Sequence, residues 1–332
     1  MSKFTNAIGI DVSKDKLDVV DYQSKKHKVF TNQESGFAQL LVWVKQVHGV
    51  QLESIVFCFA HTGLYSLQLC LLMEKNKLAY SMVPGLEIKR SIGIARGKND
   101  KIDAYRIAQY AYLRRESITL TRLPSEKVLK LKNLLTLRTR MVQQRAGYQS
   151  HLKGIDKCMS GQENSLLFES QQEMIQELTK QIKRIEKEIN KTIQEDEDLK
   201  RNYELATSVK GVGMIVGAAM LAYSDNFSQF KSWRPFASYI GTAPFEHESG
   251  SSIRGRKRVS NMANKELKAL LSSAAASSIQ YNTEMRLYYE KRLKEGKPKM
   301  LVQIIIKNKL VSRVFAAVKR GTPYVNTLNH AA

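Results

Sequence analysis

Cysteine and long apolar runs are scarce in this chain, and each scarcity excludes a class of protein. The three cysteines, Cys58, Cys70 and Cys158, fall at unrelated spacings. They match neither a zinc-binding pattern nor an even set of disulfides, so we expect a reducing compartment such as the cytosol. The longest apolar stretch, around 212–223, is too short to cross a bilayer. The first residues lead directly into a strand-like segment, so we expect no signal peptide.

Acidic residues are also in short supply relative to basic ones. The 332 residues include 31 Asp and Glu against 53 Lys and Arg, a formal net charge of +22. A solvated surface needs no such excess, which indicates a polyanionic partner, and DNA or RNA fits best. A basic protein without a cognate polyanion remains the alternative. An anionic membrane surface is disfavoured because no long basic amphipathic helix stands out.

The first part of the chain has the pattern of an α/β domain. Residues 7–20 predict a strand ending in Asp11, a polar turn and a second strand, and a third strand is predicted near 28–31. The apolar run over 54–59 suits a strand buried on both faces. The other predicted elements are helices around 37–44, 64–75, 86–94 and 101–114 and a strand over 79–83. Three strands followed by alternating helix and strand predict a sheet domain over 1–124.

After Pro124 the pattern becomes helical. A long helix up to about residue 155, a break at 160–161 and a second helix predict an antiparallel coiled-coil hairpin over 125–200. The second helix carries an apolar stripe at steps of three and four, formed by Ile175, Leu178, Ile182, Ile185 and Ile189. This stripe either packs within the chain or mediates oligomerisation. The region 201–332 is predicted to be mostly α, with helices over 263–280, 282–295 and 299–319 and a loop around the serines described below.

Three aspartates form a candidate metal site. Asp11 ends the first strand, whereas Asp100 and Asp103 begin a helix, where their three-residue spacing puts both carboxylates on one face. Mg²⁺ prefers oxygen ligands, and two such ions ~4 Å apart suit phosphoryl transfer. The alternative is that the helix residues are only favourable charges at a helix N-terminus.

Glycines in Lys210-Gly-Val-Gly form a candidate nucleic-acid contact. As part of a helix-hairpin-helix, Gly211 and Gly213 would leave backbone N–H groups open to a phosphate, which positions a duplex without reading its sequence. The alternative is a tight turn between packed helices.

A serine-rich segment is the candidate nucleophile. Ser249, Ser251 and Ser252 are interleaved with Gly250, and a basic run follows, formed by Arg254, Arg256, Lys257 and Arg258. A serine that attacks a DNA phosphate needs a flexible backbone and nearby guanidinium groups that stabilise the developing charge. The alternative is a phosphate-binding loop without a nucleophile.

Taken together, these motifs resemble the DEDD transposases of bacterial insertion sequences, whose relatives include Piv-type DNA invertases and bridge-RNA-guided recombinases. The resemblance covers nearly the whole chain. It rests on Ile8-Gly-Ile-Asp-Val-Ser-Lys-Asp-Lys-Leu-Asp, His61-Thr-Gly-Leu-Tyr, Lys98-Asn-Asp-Lys-Ile-Asp-Ala, Val209-Lys-Gly-Val-Gly, Phe236-Ala-Ser-Tyr-Ile-Gly-Thr-Ala-Pro and Glu248-Ser-Gly-Ser-Ser-Ile-Arg-Gly.

The resemblance implies a RuvC-like domain of the RNase H class, a coiled-coil hairpin and a mostly helical transposase domain. It implies that Asp11, Asp100 and Asp103 hold Mg²⁺ or Mn²⁺ together with a Glu immediately before His61. This chain has Ala60 there, and a methyl group coordinates no metal, so we expect catalysis to be impaired. Either an inactivating substitution was made deliberately, which the intact motifs favour, or the chain is a natural degenerate copy.

The resemblance also implies a function and partners. Ser249 would attack the scissile phosphate and form a covalent serine–DNA intermediate. The implied partners are donor and target DNA, an element-encoded guide RNA and further copies of the chain in a dimer or tetramer, in the bacterial cytoplasm at the nucleoid. Transposition and inversion both stay open. The competing hypotheses are a metal-dependent nuclease or junction resolvase that uses only the RuvC-like domain, and a non-catalytic nucleic-acid-binding scaffold.

Overall fold

The computed structural model describes residues 4–49, 52–91, 93, 97, 99–155, 165–243 and 259–325, together with the backbone of 248–249 and 253–254. The chain divides into two compact units, Met1–Leu123 and Pro124–Ala332. Among the described helices, none is both long and apolar enough to cross a bilayer.

The first unit is built on a mixed five-stranded sheet. Its strands are β1 (Asn6–Val12), β2 (Lys16–Asp21), β3 (His27–Thr31), β4 (Ile55–Ala60) and β5 (Tyr80–Val83). Their order is β3-β2-β1-β4-β5; β1, β2 and β3 pair antiparallel, and β4 runs parallel to both β1 and β5. The α/β sheet expected from the pattern of the first 124 residues is confirmed.

Helices cover both faces of this sheet because successive residues of a strand point to opposite sides. They are α1 (Glu34–His48), α2 (Leu64–Lys75), α3 (Gly85–Ser91) and α4 (Asp100–Leu113). Ile8 and Ile10 of β1 are buried in a cluster that includes residues of α1 and α2. Ala7 is buried in a second cluster with residues of α3 and α4. The odd-numbered positions of β1, Asp11 among them, therefore lie on the face that α4 covers.

The second unit is almost entirely helical. Its elements are α5 (Glu126–Ile155), α6 (Ser165–Gln194), α7 (Glu197–Thr207), α8 (Met214–Tyr223), α9 (Trp233–Ile240), α10 (Lys265–Tyr281), α11 (Thr283–Lys294), α12 (Lys299–Arg320) and the short strands β6 (Glu248–Ser249) and β7 (Ile253–Arg254). One apolar core joins the adjoining ends of α5 and α6 to the helices from α7 to α12. The serine segment, expected as a loop, contains the antiparallel pair β6–β7; two-residue strands are too short to give a periodic signal.

The apolar stripe of α6 is covered within the chain. Of its five members, Ile175 is half-buried and the other four, Leu178, Ile182, Ile185 and Ile189, are buried. Ion pairs from Lys130 to Glu188 (2.5 Å) and from Arg138 to Glu186 (2.7 Å) join α5 to α6 beside it. Of the two readings of this stripe, the structure therefore favours packing against its own neighbour.

Candidate active site

The end of β1 lies directly against α4. A Cβ built on Gly9 would be 2.2 Å from both the Ala104 carbonyl oxygen and the Ala108 amide nitrogen, so only glycine permits this approach. Asp11 follows two residues later and therefore faces the same side. The close packing at Gly9 thus brings the first turn of α4 next to Asp11.

A side-chain cap fixes where α4 begins. The Asn99 side chain accepts a hydrogen bond from the Ile102 amide (2.7 Å), as an N-cap residue does. Asp100 and Asp103 occupy the first turn, where the helix dipole favours negative charge. The cap fixes the residue at which α4 begins. It therefore also fixes which side of the helix carries Asp100 and Asp103 relative to Asp11.

The three predicted aspartates influence one another electrostatically. The pKa of Asp11 is raised, first by burial and then by the negative charges of Asp103, Asp100 and Asp18. The structure therefore brings together Asp11, Asp100 and Asp103, although more than 80 residues separate the first from the others. Asp18, which the sequence reasoning did not single out, is the cross-strand partner of Asp11 in β2. Strand alternation in the predicted β1–β2 pair was the signal that could have found it.

A lysine supplies positive charge to this acidic cluster. The Nζ atom of Lys16 lies 2.6 Å from Oδ2 of Asp100 and 3.1 Å from Oδ2 of Asp18. The pKa of Lys16 is raised, first by the hydrogen bond to Asp100 and then by the one to Asp18. Sequence reasoning missed Lys16, because only the fold brings it next to Asp100.

Position 60 lies beside Asp11, on the adjacent strand of the sheet. In the parallel pairing of β1 with β4, Ile10 lies opposite Phe59, so Asp11 and Ala60 are the next positions on adjacent strands. Ala60 is the last residue of β4 and is partly buried. A longer acidic side chain at this position would therefore extend from the strand end that adjoins Asp11.

The donor set of this cluster suits a hard divalent cation. It consists of carboxylate oxygens. The pKa of Asp11 is raised by burial and then by repulsion from the other carboxylates, and a bound cation relieves such repulsion. Within the described residues, however, no three His, Cys, Asp or Glu side chains converge closely enough to form a metal site. Asp100 instead pairs with Lys16, and Asp103 pairs with Arg106 (3.2 Å). The residues fit Mg²⁺ in chemistry, and side-chain cations now neutralise part of their charge.

The predicted nucleophile lies in the second unit. Ser249 pairs with Ile253, and Glu248 pairs with Arg254, across the β6–β7 hairpin. The side chains of Ser249 and Arg254 lie outside the described part of the chain. So do residues 250–252 and the predicted phosphate ligands Arg256, Lys257 and Arg258 in their entirety.

The glycine motif forms the turn between α7 and α8. Gly211 has a φ of +100°, and a Cβ there would lie 2.5 Å from Oγ of Ser278, whose hydroxyl donates to the Lys210 carbonyl oxygen (2.8 Å). Gly211 is thus required by close packing against α10, as in the tight-turn alternative. Gly213 is the N-cap residue of α8. A Cβ atom built on it would have no atom within 4 Å apart from its chain neighbours. Packing therefore gives no reason for glycine at that second position.

Two family models match the chain. A transposase model for the DEDD enzymes of IS110 matches residues 8–155, which include Asp11, Asp100 and Asp103. A second model, the transposase IS116/IS110/IS902 family, matches residues 203–290, which include Ser249. The first match covers most of the first unit and extends through α5 of the second, and the second match lies within the second unit.

Three relatives agree with these matches, one of them over nearly its full length. The pilin gene-inverting protein of Moraxella lacunata is 26% identical over 325 residues, covering 96% of this chain and 97% of the relative. The probable family 20 transposase of Pseudomonas aeruginosa is 26% identical over 156 residues, 45% of this chain and 44% of the relative. An IS110 insertion-element protein of Streptomyces coelicolor is 29% identical over 118 residues, 36% of this chain and 29% of the relative. The chain therefore belongs to the IS110 family of transposases and recombinases.

Proposed function

We propose that this protein cuts and rejoins DNA strands at a metal site formed by Asp11, Asp100 and Asp103 in a RuvC-like domain of the RNase H class. One observation carries the proposal: the carboxylates of α4 lie close enough to Asp11 of β1 that their charges add to burial in raising its pKa. Position 60 lies on the adjacent strand end, where the family pattern has its fourth acidic residue. Magnesium or manganese bound there would polarise the scissile phosphate.

Ser249 is the proposed nucleophile. Its hydroxyl gives up a proton, and its oxygen forms a bond to the scissile phosphorus. The bond from phosphorus to the departing deoxyribose oxygen breaks, and that oxygen takes up a proton. One phosphodiester replaces another, so a DNA hydroxyl can later reverse the step. Arg254, Arg256, Lys257 and Arg258 are proposed to hold the phosphate, and the backbone at Gly211 and Gly213 to contact the duplex.

The proposed partners are nucleic acids and further copies of the chain. The net charge of +22 supports a polyanionic partner. A guide RNA encoded by the element would select donor and target DNA by base pairing, while the protein reads backbone and shape. A relative is named for inverting a pilin gene, so inversion is proposed beside transposition as the outcome. Assembly into a dimer or tetramer in the bacterial cytoplasm, at the nucleoid, completes the proposal.

Ala60 makes a specific version of this proposal testable. The methyl group of Ala60 offers no metal ligand. We therefore propose that this chain binds nucleic acid but cleaves it poorly. The scaffold hypothesis would then apply to the chain with Ala60 and not to one with Glu at this position. Ala60→Glu is expected to restore Mg²⁺-dependent cleavage of duplexes that span the element's own ends. The measurement is a denaturing gel of end-labelled DNA, with the protein purified together with its nucleic acid.

Ala60→Glu and two further variants made in its background distinguish a serine nucleophile from a water nucleophile. In the Ala60→Glu background, Ser249→Ala is expected to abolish the covalent protein–DNA adduct, and Asp11→Asn to abolish cleavage. Adducts that persist after Ser249→Ala would move the nucleophile to Ser251 or Ser252. Cleavage without any adduct would support the metal-dependent nuclease, in which water is the nucleophile. No cleavage by Ala60→Glu would contradict both the site assignment and the recombinase proposal.

A further inference from the structure

A buried lysine stands out in the second unit. Lys307, on α12, is only 4% exposed and lies between the buried residues Ile306 and Leu310. No hydrogen bond or ion pair to its ammonium group is found among the residues the structure describes. Charged side chains are rarely buried without a partner, because removing an ammonium group from water is costly. The proposed function has so far given this lysine no role.

A second lysine lies close to the first. The pKa of Lys307 is lowered, first by burial and then by the positive charge of Lys268, on α10. A Cβ atom built on Gly241 would lie 3.9 Å from Nζ of Lys268. Two like charges from different helices thus approach one region, and no acidic side chain is recorded with either of them in the described part of the chain.

The turn that follows α9 lies beside Lys268 and is joined to α12 next to Lys307. Asn308, next to Lys307, donates from Nδ2 to the carbonyl oxygen of Thr242 (3.1 Å), while its Oδ1 is buried without a hydrogen-bond partner in the structure. Gly241 ends α9 in the left-handed conformation, and a Cβ there would be 2.4 Å from that of Ala263. The turn is therefore anchored to α12 and packed closely, shortly before the strand that carries Ser249.

We propose that Lys307 and Lys268 form a binding site for a phosphate group of a nucleic-acid backbone, beside the turn at Gly241 and Thr242. An anion there would pair with an ammonium group that has no other partner among the described residues, and it would relieve the repulsion between the two ammonium groups. Lysine suits this role because its ammonium group is a compact charge with three donors. The inference deepens the proposed function and rests on it for the kind of phosphate that is bound.

The first test uses inorganic phosphate and the full chain. Lys307→Met keeps the length of the side chain and removes its charge. At constant ionic strength, the melting temperature of the unaltered protein is expected to rise with phosphate concentration. In Lys307→Met this rise is expected to fall by more than half, although the variant itself melts at a higher temperature without phosphate. Lys319→Met, an exposed lysine on the same helix, is the matched control and keeps the full rise.

The second test asks whether the phosphate belongs to nucleic acid. Affinity for a 30-base-pair duplex of arbitrary sequence is measured by fluorescence anisotropy over a series of salt concentrations. Losing one phosphate contact lowers the slope of log affinity against log salt by about 0.9. Lys307→Met is expected to show this loss and a weaker affinity, and Lys319→Met a smaller change. An unchanged slope in Lys307→Met would overturn the nucleic-acid assignment.

A full phosphate-dependent rise in Lys307→Met would overturn the site altogether. If Lys307→Met fails to fold, Lys268→Met decides in its place, because Lys268 is half-buried and its loss leaves the core intact. Loss of the phosphate response in Lys268→Met supports the site, and a full response overturns it. Both tests measure binding, so a failure of the proposed recombinase activity, seen as the absence of a covalent adduct, leaves their result standing.

Discussion

At the scale of single residues, one lysine joins two carboxylates of the acidic cluster. The ammonium group of Lys16 pairs with both Asp100 and Asp18. It lies where a bound divalent ion would also be attracted by the carboxylates. Lys16 and a metal ion would therefore compete for the same negative charge.

Removing that lysine tests the competition. We expect Lys16→Met to melt at a lower temperature than the unaltered chain without divalent ions, because the repulsion between the carboxylates then loses one of the cations that offset it. Its melting temperature is expected to rise more steeply with Mg²⁺, which is measured by a thermal titration. Lys26→Met, an exposed lysine in the β2–β3 turn, is the control. Equal Mg²⁺ responses in Lys16→Met and the unaltered chain would contradict the idea.

A buried carboxylate elsewhere in the first unit makes stability depend on pH. Burial pushes the pKa of Asp21 upward, but hydrogen bonds from Ser24, His48 and Asn6 outweigh it, and the pKa is lowered overall. A lowered pKa in the folded state gives stability that is present above the unfolded value of about 3.9 and is lost as pH falls through the folded value.

We therefore expect Asp21→Asn to lower the free energy of unfolding by about 2 kcal/mol at neutral pH, since hydrogen bonds to a buried charge are lost. The difference from the unaltered chain should shrink below about pH 4, where Asp21 of the unfolded chain takes up a proton, and should be lost below the lowered pKa of the folded state. Urea unfolding at a series of pH values measures it. Asp15→Asn, at an exposed residue, should show no such dependence. A difference that stayed constant down to pH 2 would argue against the charged network.

At the scale of elements, local patterns predicted most helices and strands, and long-range packing decided the rest. The alternating apolar residues of β1 and the isoleucine steps of α6 are properties of short windows, so their elements were predicted close to their observed bounds. The contact of Gly9 with Ala104 and the pairing of Lys16 with Asp100 join distant segments. No period in the sequence marks such contacts.

The stripe of α6 gives a prediction at this scale. Ile189 is fully buried in the core of the second unit. Ile189→Ala is therefore expected to lower the free energy of unfolding by about 2–5 kcal/mol without changing the molecular mass in solution, because the stripe packs within the chain. Chemical unfolding and light scattering measure the two quantities. Leu166→Ala, at a residue 76% exposed, should leave stability unchanged. A loss of oligomers in Ile189→Ala at full stability would instead assign the stripe to oligomerisation.

At the scale of the whole molecule, the two units carry different parts of the proposed chemistry. The first unit holds the carboxylates. They could be predicted as neighbours because Asp11 lies at the end of a strand and Asp100 and Asp103 lie at the start of a helix, and such ends meet beside a sheet. The second holds Ser249 on a short hairpin. The family match that contains the three aspartates covers most of the first unit and extends into α5, and the match that contains Ser249 lies within the second unit. That division agrees with a recombinase in which metal ligands and nucleophile come from separate parts of the chain.

The most direct measurement is manganese binding by calorimetry and electron paramagnetic resonance. If Asp11, Asp100, Asp103 and position 60 form one site, Ala60→Glu should bind Mn²⁺ more tightly than the unaltered chain. The gain should be at least the roughly 10–100-fold that even an outer-shell partner contributes. Ala60→Gln, of equal size and without charge, should gain far less, and adding Asp103→Asn to Ala60→Glu should remove the gain. Equal Mn²⁺ affinity in Ala60→Glu and the unaltered chain would contradict the shared site.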